Sequence, residues 1–412
     1  MSRSIYVYAH WHTMPQPELV GMLETDLVRG VEVYRFSYDE NWLTSPFAMQ
    51  IDPQLQLFRG DQFNNDARNF RAFLDSCPDR WGRLLMQRRE AVLARREQRQ
   101  IRRLNDSDYL LGVHDAYRMG ALRFKLSKDG PFLDNDQQLA TPPMSSLREL
   151  EHAVSQIEQD PDVDNPDYLK WLFMLISPGS SLGGARPKAC VMDGEELWLA
   201  KFPSRYDNHD IGAWEYLVYR MAVDAGVNMA PCKILQFNSP HHTFLTKRFD
   251  REGETRHHFS SAMTQLGYYD GDAGASYLEL AQFLMEQGAN TRADLAQLWR
   301  RLAFNIMVRN SDDHLRNHGF ILAEEGSGWR LSPAYDINIS IGATGLHLNI
   351  DEYSNELNLD LALEVAPYFQ LSATEAKQIL SKLQSVVSHW QDYANEIGIN
   401  RQEQQILERV FN

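Results

Sequence analysis

The residue pattern predicts an α+β fold, β-rich near its N terminus and mainly helical in its C-terminal part. Three observations carry this expectation. Short alternating apolar segments recur through the first 125 or so residues. Two strand pairs with glycine-containing turns lie at 189–202 and 318–331. Helical spacing dominates what remains, through Ala373 to Phe411.

Along the chain, Val31 to Phe36 and Gln54 to Phe58 read as strands, and Asn65 to Asp75 and Arg80 to Gln100 as helical stretches. The arginine-rich run from Arg88 to Arg103 reads as a solvated helix face: acids interrupt it and no aromatics interleave. Lys128 to Ser145, with Asp129-Gly130-Pro131 and Thr141-Pro142-Pro143, reads as a linker. The expected organisation is an N-terminal subdomain at 1–125, a linker at 126–145, a small lobe at 146–250 and a helical large lobe at 251–412. Arg251 to Ser276 is polar, with Gly267, Gly271 and Gly274, and is expected to be a mobile loop whose His257 and His258 lie at the surface.

The densest chemistry lies at Asn310-Ser311-Asp312-Asp313-His314-Leu315-Arg316-Asn317, followed by Tyr335-Asp336-Ile337. An aspartate, an asparagine five positions on and an aspartate beyond a hairpin match the order that phosphoryl transfer to a hydroxyl needs. The first orients the acceptor, and the other two offer hard oxygen ligands to magnesium. Leu298, Leu302 and Ile306 lead in at helical spacing, and that helix should stop near Asn310. Strands at His318–Leu322 and Trp329–Leu331 can carry Asp336 back beside Asn317. A polar capping loop followed by a surface hairpin accounts for this segment equally well.

A second constellation tips the balance. Ser180-Ser181-Leu182-Gly183-Gly184-Ala185-Arg186-Pro187-Lys188 is small and glycine-rich. Glycines let backbone N–H groups approach phosphate oxygens. Strands at Ala189–Met192 and Glu196–Phe202 follow, joined at Asp193-Gly194, and Lys201 shares an apolar strand face with Leu197 and Leu199. Ile211 to Ala225 reads as a helix with Asp210 as N-cap and Gly226 beyond its end. Glu215 falls in its apolar stripe with Ile211, Trp214, Val218, Met221, Ala222 and Ala225. A buried lysine and a buried glutamate each need a partner, and phosphotransferases use such a pair to hold the nucleotide-binding lysine. Standing alone, a structural ion pair explains them as well.

At these residues the chain resembles the HipA family of bacterial serine/threonine kinases, the toxin components of HipA–HipB toxin–antitoxin modules. The resemblance takes in Ser181 to Lys188, Leu199-Ala200-Lys201-Phe202-Pro203, Lys247-Arg248-Phe249-Asp250-Arg251, the Asp312 loop and Ser332-Pro333-Ala334-Tyr335-Asp336. It extends to Trp42-Leu43 and Pro78-Asp79-Arg80-Trp81-Gly82-Arg83. It implies a two-lobed protein-kinase-like fold with an N-terminal β-rich subdomain. It makes Asp312 the catalytic aspartate, Asn317 and Asp336 the magnesium ligands, Lys201 a phosphate contact, and Lys247 to Phe249 the adenine hinge. The ATP-binding set then comprises Ser181, Gly183, Gly184, Ala185, Lys188, Lys201, Glu215, Lys247 and Phe249, with His314 shaping the loop. Ser181 matches the loop serine whose autophosphorylation inactivates family members, with its neighbour Ser180 as second choice. The resemblance also implies a protein substrate, translation-related by analogy, and a helix-turn-helix, HipB-like antitoxin.

Composition fits a cytoplasmic enzyme. The chain has 412 residues and no apolar run long enough for a membrane span, and Met1 to His10 read as a strand start, not a secretion signal. Cys77, Cys190 and Cys232 are far apart and without metal spacing, as expected of reduced thiols. A net charge of −15 argues against this chain alone gripping a DNA backbone, so DNA contact would come through a basic partner. Three alternatives stand beside the protein kinase: a small-molecule phosphotransferase, a metal-dependent hydrolase built on Asp312, Asp313 and His314, and a non-catalytic interaction protein that keeps the fold.

Overall fold

The computed structural model describes residues 2–64, 68–136, 141–159, 166–176 and 186–411. They fall into two units, one of Met1–Arg205 with Asp250–Ser260 and one of Tyr206–Phe249 with Ser261–Asn412.

The first unit is β-rich. Strands β1 (Arg3–Ala9), β2 (Glu18–Val28), β3 (Val31–Tyr38), β4 (Gln62–Phe63) and β5 (Leu122–Lys125) form an antiparallel sheet in the order β4-β3-β2-β1-β5. Alternation sorts its faces: Ile5, Val7, Leu23, Phe36 and Phe124 are fully buried. Arg29 and Gly30 close the β2–β3 hairpin with φ of 52° and 81°, the positive values a two-residue turn needs to match strand twist. Gln54 to Phe58 is not a strand. Gln62 donates to the Gln56 carbonyl and accepts from its N–H, each at 2.8 Å, so a side chain takes the bonds a neighbouring strand would have made.

The expected helix at Arg80 stops at Arg96, earlier than Gln100. Asp79 caps it by accepting from the Gly82 N–H at 2.8 Å. The arginine run is only partly a solvated face. Arg95, Arg96 and Arg99 are exposed, but Glu90 is buried and accepts from Arg99 at 2.5 Å and from the Arg102 N–H at 2.9 Å. What is described of the expected linker packs onto its neighbours: Leu133 N–H donates to the Phe124 carbonyl at 2.8 Å and Met192 N–H to that of Pro142 at 3.0 Å. Strands β6 (Lys188–Asp193) and β7 (Glu196–Lys201) pair as expected, and Gly194, with φ of 62°, opens their turn.

Residues 251–261 are not a polar surface loop. Arg251–Glu252 pairs with Thr255–Arg256, and a strand follows at Phe259–Ser261. Arg251 donates to the Gly120 carbonyl and to Asp250, at 2.9 and 2.8 Å, and Arg256 to the Asp115 carbonyl at 2.8 Å. His258 is not at the surface either: it is buried, and its ring stacks on Trp11 with centroids 5.2 Å apart. Arg251 and Arg256 satisfy buried carbonyls, while the turn from Glu252 to Thr255 faces water.

The second unit is mainly helical. The helix Ile211–Asp224 starts at its expected cap, with Asp210 accepting from the Ala213 N–H at 3.0 Å. Strands Cys232–Leu235 and Thr243–Lys247 form a hairpin. The helix Thr291–Val308 buries Leu295, Leu298, Trp299, Leu302, Ala303 and Phe304 completely, and helices Tyr277–Gln287, Ala373–Val387, Trp390–Ile397 and Arg401–Phe411 belong to the same unit. No helix among the described residues is long and apolar enough to cross a membrane.

Candidate active site

The Thr291–Val308 helix ends abruptly. Arg309 turns left-handed, with φ of 52°, and the Asn310 N–H bonds back to the Asn305 carbonyl at 2.9 Å. Asn310 is buried and donates to the Asn305 side chain at 3.2 Å, fixing the exit of the chain. The loop that follows hangs from a rigid mount.

Its two aspartates part company. The Asp312 side chain is 64% exposed, whereas Asp313 is 1% exposed. Both Asp313 oxygens are engaged, one by the Tyr277 hydroxyl at 2.8 Å and the other by the His347 N–H at 2.6 Å. A carboxylate so enclosed cannot meet an acceptor hydroxyl, which leaves Asp312 as the accessible carboxylate of this pair. The same geometry disposes of the hydrolase triad, because Asp313 does not face the site.

Asn317 turns back onto this loop. Its Nδ2 donates to the Asp312 carbonyl at 2.6 Å, and its Oδ1 is buried with no hydrogen-bond partner among the described residues. An orphaned amide oxygen is costly unless something binds it. The hairpin of Gly319–Leu322 and Trp329–Leu331 then returns the chain. Buried Arg301 donates to the Ser332 carbonyl, Ala334 N–H to that of Asn228 at 2.7 Å, and Tyr335 hydroxyl to that of Arg316 at 2.7 Å. Asp336 therefore arrives beside the loop. Its φ is 57°, unusual for a residue other than glycine and frequent where function stores strain. One of its oxygens accepts from the Asn338 amide at 2.9 Å.

His314 sits within this group. Its Nε2 lies 3.8 Å from Asp312, and its ring centroid 5.8 Å from that of His347. Burial lowers its pKa, with Asp312 and Asp336 pulling the other way.

Asn317 Oδ1 and the Asp336 carboxylate are the donors a magnesium ion would take: hard oxygens, few in number, leaving positions for phosphates. Among the described residues, no cluster of three or more His, Cys, Asp or Glu side chains offers a different metal site.

The other expected residues are distributed as follows. Lys201 and Glu215 are both buried, at 6% and 5% exposure, and belong to the first and second units respectively. Lys188, expected among the phosphate contacts, instead has its ammonium inside the first unit, 2.8 Å from Asp79. Lys247 ends its strand with its N–H on the Pro231 carbonyl at 2.8 Å. The Phe249 ring lies 5.5 Å from that of Tyr335. Ser180, Ser181, Gly183, Gly184 and Ala185 lie outside the described residues. Tyr277, Asn305 and Arg301 were not singled out from sequence. The only signal was polar side chains interleaved in apolar helical stripes.

Comparison with known proteins follows this geometry. Residues 180–390 match the HipA-like C-terminal domain. A Haemophilus influenzae protein named "Putative kinase" is 23% identical over 257 residues, 56% of this chain and 71% of that protein. "Putative kinase Y4mE" of Sinorhizobium fredii is 22% identical over 212 residues, 49% of this chain and 43% of that protein. Among solved structures, the complex of HipA, HipB and operator DNA from a Shewanella oneidensis MR-1 toxin–antitoxin system aligns over 99% of this chain and 96% of that one. Its TM-score is 0.67 at 18% identity, which carries the fold. The fold is thus that of the HipA structure, with a β-rich N-terminal region and a helical C-terminal part. The chain belongs to the HipA-like family, since that family's domain spans half of it.

Proposed function

We propose that this protein is an ATP-dependent serine/threonine protein kinase. The observation that carries the reading is the grouping of exposed Asp312, Asn317 with its orphaned Oδ1, and left-handed Asp336 in one loop system. In the reaction, the acceptor hydroxyl oxygen attacks the γ-phosphorus as the bond from that phosphorus to the β–γ bridging oxygen breaks. ADP leaves with the electron pair, and the hydroxyl proton passes to the Asp312 carboxylate. Magnesium, held by Asn317 and Asp336, would neutralise charge on the phosphates. Lys201 and the amides of the glycine loop would hold the phosphates, and Lys247 to Phe249 the adenine.

By analogy with the Shewanella complex, the protein would act as the toxin of a module, with a HipB-like antitoxin supplying the DNA contacts. Autophosphorylation at Ser181, or failing that Ser180, would place about two negative charges where nucleotide phosphates must sit and so switch the enzyme off. Incubation with Mg-ATP tests both claims. Intact mass and phosphopeptide mapping read the loop serines, and added protein and small-molecule acceptors read the substrate class. Phosphate on protein hydroxyls supports the kinase. Transfer only to small molecules overturns it, and an active enzyme with no phosphate on either serine overturns the switch alone.

A further inference from the structure

Asp313 has no part in the transfer step, yet burying a carboxylate is costly unless its bonds are needed. Its oxygens join separate pieces of the second unit. Oδ2 accepts from the Tyr277 hydroxyl at 2.8 Å, and that hydroxyl accepts from the Asn305 amide at 2.9 Å. Tyr277 opens one helix, and Asn305 lies in the last turn before the catalytic loop. Oδ1 takes the His347 N–H at 2.6 Å and, more distantly, that of Leu348 at 3.4 Å. These amides belong to the stretch that follows Asp336.

Asp312, by contrast, is mostly exposed, and its placement comes from the backbone on either side of it. Asn317 holds its carbonyl, and the next residue is Asp313. We propose that Asp313 is a positioning residue for phosphoryl transfer: it clamps the 347–348 backbone and the Tyr277 hydroxyl to the catalytic loop and thereby fixes where the Asp312 carboxylate stands. The role rests on the phosphotransferase reading. It makes the clamp a determinant of turnover and not of nucleotide affinity, because the nucleotide-holding residues lie elsewhere. A shift of about 1 Å in a reacting group can cost on the order of 100-fold in rate.

The test uses the full chain and follows ADP release from Mg-ATP. Asp313→Asn keeps the shape but exchanges one acceptor oxygen for a donor amide, so it cannot serve the hydroxyl and the backbone amides together. It should lower kcat by roughly 30-fold or more and leave the KM for Mg-ATP within about twofold. Tyr277→Phe removes a single hydroxyl, is the milder change to the fold, and should lower kcat by about threefold to tenfold with the same constant KM. If the two side chains form one clamp, the double variant is no slower than Asp313→Asn alone. Unchanged kcat in folded Asp313→Asn or Tyr277→Phe overturns the positioning role, as does a rise in KM at constant kcat. Wild-type protein that releases no ADP overturns the phosphotransferase reading, and the clamp with it.

Discussion

The Lys188 ammonium lies 2.8 Å from the Asp79 carboxylate, with both side chains 3% exposed. Asp79 also caps the Arg80–Arg96 helix. One carboxylate therefore serves the N-terminal subdomain and the strand that emerges from the glycine-rich segment. Breaking a buried pair strands the other charge. Asp79→Ala should destabilise the protein by about 3–5 kcal/mol, and Lys188→Met placed in that background should recover part of the loss. Denaturant unfolding of the two single variants and the double variant measures this. Additive losses would show that the pair is not a unit.

Asp336→Ala should abolish the magnesium-dependent part of ATP affinity. The residue keeps a left-handed backbone and follows Tyr335, which bonds the carbonyl of Arg316 next to Asn317; the Asn317 Oδ1 has no partner among the described residues. Calorimetry with ATP, with and without magnesium, makes the comparison. Equal Mg-ATP affinity in wild type and variant would refute the ligand assignment.

Asp312→Asn should retain both the fold and nucleotide binding and lose phosphoryl transfer, by about 100-fold or more. The exposed position of this side chain predicts little change in melting temperature. An amide cannot accept the hydroxyl proton, so transition-state help disappears while ground-state binding stays. Retained transfer would point to a different proton acceptor.

Acid titration should reveal Asp313 directly. Burial raises its pKa to about 6, with the Tyr277 hydroxyl and the His347 and Leu348 amides pulling it back down. An ordinary unfolded-chain carboxyl titrates near 4. The folded state thus holds this proton more tightly. The resulting stabilisation is fully present below about pH 4 and is lost as pH rises through about 6. Asp313→Asn does not titrate. The wild-type-minus-variant difference in unfolding free energy should therefore fall by roughly 2–3 kcal/mol between about pH 4 and 7. A difference that stays flat over that window would mean the carboxyl is not buried as described.

Local rules made much of this molecule readable from its sequence. Alternation and a tight turn marked β6 and β7, and Asp210 and Gly226 marked the limits of the Ile211–Asp224 helix. The Asp312–Asn317 spacing and the returning hairpin were legible because a loop, a turn and two short strands are fixed by neighbours a few residues apart. Even the burial of Glu215 followed from its place in a helical stripe.

Tertiary structure decided the rest, wherever a polar group's fate depended on a distant partner. Sequence named Asp312 by its spacing to Asn317 but did not say what becomes of Asp313. Tyr277 and His347, more than thirty positions away on either side, take Asp313 into the interior and leave Asp312 outside. Lys188 looked like a phosphate contact until Asp79 claimed it, and His258 looked like a surface residue until Trp11 covered it. Periodicity tells which face of an element is apolar. It does not tell which charged or polar side chain will find its bonds inside, because burial is free of penalty only when a partner from elsewhere in the chain completes it.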